Sequence, residues 1–64
     1  MLKMSLAEAE NRAKVYSLIE PDLEIRVLYK EGCSPHVNSA EWVYKQLLHD
    51  GYYTVCRYKN GVRY

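Results

Sequence analysis

The chain has no phenylalanine and only one tryptophan, two cysteines, two prolines and three glycines among its 64 residues. Each shortage removes a class of protein. Two cysteines do not make the disulfide framework of a small secreted scaffold, which uses four or more. Free thiols are the default of a reducing compartment, so the sequence reads as cytoplasmic, with Cys33 and Cys56 unpaired. Gly32, Gly51 and Gly61 each stand alone, which leaves no glycine-rich loop to cradle a phosphate. No run approaches the roughly 18 apolar residues of a membrane span. The opening Met1-Leu2-Lys3-Met4-Ser5-Leu6 lacks the apolar core of a signal peptide. A large charge of either sign is missing too. The formal net charge of +1 argues against both a polyanionic nucleic-acid mimic and a strongly basic wrapping protein.

What is present describes one small folded unit. Hydrophobic residues make up 48% and charged residues 27%, too apolar a mixture for a disordered chain. Residues 1–64 are read as a single domain, and a domain of this size buries only about 60% of its unfolded surface. Its stability is then a few kcal/mol unless a partner or a second copy adds to it. Seven tyrosines and one tryptophan supply the aromatic content. Their polar ends want water or a hydrogen-bond partner, which places several of them at the domain edge.

Local patterns set the element order. Ser5-Leu6-Ala7-Glu8 is a capping box, and the stretch from Leu6 to Glu20 contains no Gly or Pro before Pro21 stops it. In that helix Leu6, Ala9, Ala13 and Tyr16 share one stripe. Val15, Leu18 and Ile19 lie on another side, where they either pack on a sheet, the favoured reading, or form a dimer surface. Leu23 to Lys30 alternates as a half-buried strand, with Leu28 breaking the pattern. Residues 31–37, marked by Gly32 and Pro35, read as a loop. Asn38 or Ser39 caps a second helix running to Asp50 and closed by Gly51; Trp42, Lys45, Gln46 and His49 form its polar side. Tyr52 to Lys59 is rich in β-formers, and Asn60-Gly61 predicts a type I′ hairpin returning through Val62-Arg63-Tyr64. The expected fold is therefore α+β in the order α-β-α-β-β. A right-handed crossover makes the first two strands of a three-stranded mixed sheet parallel, and two helices pack on it.

The candidate chemistries are few. Cys33 and His36 have metal-ligand spacing, with His49 and Cys56 as possible further ligands. However, the second helix separates the two histidines by roughly 15–20 Å at 1.5 Å per residue. No structural zinc and no cofactor is expected. A Cys–His nucleophile pair would lack an orienting group and an enclosed cleft, so no enzyme activity is expected either.

Binding is the reading that remains. A tryptophan on the polar side of a short helix has no evident reason inside the domain, and Trp, Tyr and Arg dominate protein-interface hot spots. The primary expectation is a non-enzymatic protein-binding module contacting its partner through Trp42, Tyr44, Lys45 and His49. In class it is like small inhibitors and adaptors, many made by phages, that act on a larger host complex such as a polymerase or a defence nuclease. The alternative is a single-stranded nucleic-acid binder. Residues 51–64 hold three bases and no acid, and Arg57, Tyr58, Lys59, Arg63 and Tyr64 mix cations with rings. Homodimerisation through Val15, Leu18 and Ile19 is compatible with either.

Overall fold

A computed structural model of the chain describes residues 4–43 in full, the backbone of residues 44–46, and residues 50–64. Helix α1 (Leu6–Ile19) starts at the expected cap. Ser5 lies in extended backbone, and its hydroxyl accepts a 3.1 Å hydrogen bond from the Glu8 amide. That bond satisfies one of the amides a helix start leaves open. At the other end the Glu20 amide still donates to the Tyr16 carbonyl, and Pro21 cannot continue the ladder. The side of α1 facing the sheet is made of very small residues: Ala9, Ala13 and Ser17 are fully buried. Small side chains let the helix lie close to the strands beneath it.

Strand β1 (Ile25–Tyr29) is followed by a tight reversal. The Cys33 amide bonds the Lys30 carbonyl at 3.0 Å, and Gly32 takes a φ of +84° at the third turn position. A type II turn requires a positive φ there. The chain then returns as β2 (His36–Ser39), antiparallel to β1 with Leu28 opposite His36 and Ile25 opposite Ser39. Helix α2 (Ala40–Gln46) begins directly after it, its start capped by Ser39, whose hydroxyl accepts from the Trp42 amide. Strands β3 (Tyr53–Lys59) and β4 (Val62–Arg63) form the terminal hairpin. Its turn residues Asn60 and Gly61 have φ of 51° and 77°, as a type I′ turn demands. Lys59 faces Val62 and Tyr58 faces Arg63, the register expected from the sequence.

The sheet is four-stranded and antiparallel throughout, in the order β2-β1-β3-β4. The α+β class stands, but the three-stranded mixed sheet and the α-β-α-β-β order are corrected. The segment read as a loop contains β2, so the element order is α-β-β-α-β-β. The reason is local. His36 to Ser39 is too short and too polar to show alternation, and its cap signals belong to the helix one residue later. With β2 inserted, the helix-linked strands are β2 and β3. They run parallel but lie on either side of β1, to which each is antiparallel.

Two clusters of described residues lie in the interior. Ala9 and Ala13 of α1 pack with Ile25, Val27, Cys56 and Tyr58, flanked by Met4, Tyr16, Val37 and Val55. On the opposite sheet face Leu28 meets Val43 of α2, with Tyr52 against them. Leu28, the exception in the alternation, is thus the residue that anchors the second helix. The alternation of β3 is interrupted. Val27 pairs with Cys56 while Leu28 pairs with Thr54, which leaves Val55 as an extra residue in a β-bulge. Val55 and Cys56 both turn toward α1 as a result. Tyr53, Val55, Cys56 and Tyr58 share the α1 face, and Tyr52, Thr54, Arg57 and Lys59 share the other.

Candidate functional site

Strand alternation and the hairpin register decide which terminal residues gather, and the bulge sets their phase relative to Tyr53 and Thr54. Arg57 and Lys59 point away from α1 and are exposed, beside Tyr64, whose amide donates to the Arg57 carbonyl at 2.9 Å. The Arg57 guanidinium lies over the Tyr64 ring, 4.9 Å from its centroid, an arrangement in which the ring quadrupole attracts the cation. Arg26 is directly opposite Arg57 in the ladder, and two cations at paired positions repel. Glu24 offsets that repulsion. Its carboxylate accepts from the Arg26 Nε at 2.8 Å and from the Tyr64 hydroxyl, which ties the chain end to the start of β1. The Tyr64 hydroxyl first and then Arg26 hold the Glu24 carboxyl below its ordinary value of 4.5, against the opposing effect of partial burial. The same hydrogen bond, with partial burial, pushes the Tyr64 phenol above its ordinary value of 10.0.

Of the five terminal residues singled out in the sequence, the structure brings three together: Arg57, Lys59 and Tyr64. Tyr58 and Arg63 go to the opposite face. Tyr58 is buried beneath α1, and burial raises its phenol pKa. Arg63 pairs with Glu10 of α1 at 3.1 Å, and Glu10 also accepts from the buried Cys56 thiol. Glu24 and Arg26 belong to the cluster, and sequence reasoning missed them. Their i, i+2 spacing on one strand puts them on one side, but only the antiparallel register places them beside Arg57 and Tyr64.

The aliphatic side of α1 does not pack on the sheet. Val15 is 47% exposed, Leu18 54% and Ile19 71%, which overturns the favoured reading of this row. The sheet is already covered by Ala9, Ala13 and Ser17, and the row points away from it. Leu18 alone touches the hairpin tip, lying against Gly61. Trp42 is 42% exposed on α2. Its intended neighbours, the side chains of Tyr44 and Lys45 together with His49, lie outside the described residues.

Cys33, His36 and Cys56 do not converge. Cys56 faces α1, where burial pushes its thiol above the ordinary range, and His36 stacks edge-on against Tyr52 on the other face, 5.1 Å between centroids. Cys33 sits in the β1–β2 turn and contacts Tyr52, whose phenol is raised by partial burial and by a hydrogen bond with Cys33. Cys33 also borders a shallow hollow of about 270 Å³ with Met4, Tyr29 and Pro35. Sites that enclose a small molecule typically measure about 300–1,000 Å³. No helix among the described residues is long and apolar enough to cross a membrane. Compared with protein families, curated proteins and solved structures, the chain matches no family model, no curated protein and no solved structure.

Proposed function

We propose that the chain is a non-enzymatic protein-binding module whose main contact surface is the outer side of α1. The observation that supports this reading is the row Val15, Leu18 and Ile19, three aliphatic side chains in water where a solvated helix carries charge. Apolar surface held out of the core is what association buries, at about 25 cal/mol for each Å² removed from water. Trp42 extends the aromatic content of the surface on the other helix. Of the residues that catalysis would draw on, Cys56 lies on the α1 face, apart from Cys33 and His36 beside Tyr52.

The test is a tagged pull-down run in parallel with a V15E/I19E variant and with W42A, followed by light scattering at several concentrations. Both substituted α1 positions are exposed, so the fold is expected to be retained. Loss of a captured protein in V15E/I19E supports the reading. Retention of every captured protein by V15E/I19E discards the α1 surface. A concentration-dependent mass above 7.5 kDa that the same variant abolishes identifies the partner as a second copy of the chain.

A further inference from the structure

We propose that the β3–β4 half of the sheet face opposite α1 binds single-stranded nucleic acid, with Arg57 as the stacking platform and Lys59 and Arg26 as phosphate contacts. This goes beyond the protein-binding reading and uses a different surface. The described part of α2 packs on β2 and β1, and Arg57, Lys59 and Tyr64 on the far strands are exposed. The Arg57 guanidinium carbon lies over the Tyr64 ring, and that ring is fixed in turn by its hydroxyl bond to Glu24. A planar cation braced on one side presents its other side in a set orientation. Bases stack on guanidinium planes as they do on aromatic rings.

Lys59 follows Arg57 on the same face, about 6.6 Å along the strand at 3.3 Å per residue. Arg26 lies across the ladder from Arg57. The cluster thus sets the cations Arg26, Arg57 and Lys59 around the carboxylate of Glu24, a balance complementary to a phosphate chain and unfavourable for a neutral ligand. The bracing favours nucleic acid over an acidic peptide. A carboxylate pairs with the edge of the guanidinium fork, whereas a base stacks on its face, which is the side the bracing presents.

Fluorescence anisotropy with a labelled oligo(dT) or oligo(U) of about twelve nucleotides, within the usual site size of a small sheet binder, tests the proposal. Binding is expected to weaken as salt rises, with a log–log slope near −0.7 for each phosphate neutralised. K59A should reduce that slope by about 0.7, whereas R57A should lower affinity chiefly by removing the stacking plane. R57K should keep the slope yet lose about tenfold in affinity, because an ammonium does not stack. K14A removes one charge from α1, outside this cluster, and should leave binding unchanged. Absence of binding to both oligonucleotides at low salt overturns the proposal. So does an equal effect of K14A and R57A, which would show diffuse attraction to the whole surface. An oligoglutamate that binds as tightly as the oligonucleotide, with R57K indistinguishable from the parent, also overturns it and assigns the face to acidic peptides.

Discussion

On the α1 side of the sheet, small residues of the helix meet Ile25, Val27, Cys56 and Tyr58, and the buried polar group is satisfied twice. The Ser17 hydroxyl donates to the Lys14 carbonyl at 2.8 Å and accepts from the Gly61 amide at 2.9 Å. On the other side the apolar contact among the described residues is Leu28, Val43 and Tyr52. Beyond it the surface is a network of Glu24, Arg26, Arg57 and Tyr64 whose members keep contact with water. Close packing transmits the loss of a single methylene, whereas exposed ionic pairs contribute little each and are screened by salt. Among the described residues, the close packing lies on the α1 face and the ion pairing on the other.

The contrast is broken most directly by deleting one buried side chain from each face. Ile25→Ala on the α1 side is expected to cost about 3 kcal/mol, and Leu28→Ala on the α2 side about 2 kcal/mol, within the usual range for core truncations. Either is a large part of the stability of a domain this small. Urea midpoints measured with unchanged m-values decide the order. Should Leu28→Ala prove the costlier, the α2 cluster carries the fold and the asymmetry drawn above is wrong.

A smaller effect sharpens the role of the hairpin tip, where the terminal strands join α1. Gly61 has a φ of +77°, and a Cβ built there would lie 2.5 Å from the Leu18 Cδ2. Gly61→Ala is expected to lose about 1–2 kcal/mol from the left-handed backbone alone, with Leu18 displaced further into solvent. Ser17→Ala leaves the Gly61 amide without its acceptor and costs about 1 kcal/mol. The two losses should not add, because both loosen the same contact. Additive losses in thermal unfolding would mean that the tip is not held through this pair.

The smallest effect belongs to the ionic face and is read in pH. Glu24 titrates below its ordinary value of 4.5 in the folded protein, so the stability it contributes is present above that pH. It is lost as pH falls through the lowered folded value. Tyr64 is shifted the other way: its contribution is present below pH 10.0 and lost as pH rises through the raised folded value. Glu24→Gln is therefore expected to flatten the acid limb of a stability–pH curve, and Tyr64→Phe to flatten both limbs. An acid limb identical in Glu24→Gln and the parent would show that the network contributes nothing measurable to folding.

Much of the local structure was legible because its causes are local. The Ser5 cap, the stop before Pro21, the type I′ turn at Asn60-Gly61 and the Lys59–Val62 register all follow from residues within a few positions of one another. The buried stripe of α1 was half legible. Ala9 and Ala13 were found by periodicity, while Ser17 was missed because its hydroxyl is satisfied by a backbone amide 44 positions away. In the candidate site Arg57, Lys59 and Tyr64 were visible as a basic, aromatic tail. Their separation from Tyr58 and Arg63 follows from alternation and the hairpin register, whereas only tertiary packing decided that their face is the one turned away from α1.

The sequence by itself determined where α1 begins and ends and where the terminal hairpin turns, because caps, prolines and positive-φ residues act through bonds to near neighbours. It also determined that the chain is an α+β domain with a basic, tyrosine-rich terminal hairpin. Only the tertiary structure decided that β2 exists, that β1 is flanked by antiparallel strands on both sides, and that Leu28 faces α2. Each of these rests on pairing between residues distant in the chain, and a four-residue strand or a one-residue bulge leaves no periodic trace. Tertiary packing also left Val15, Leu18 and Ile19 in solvent, since three smaller residues on the neighbouring side of the same helix had already filled the space against the sheet.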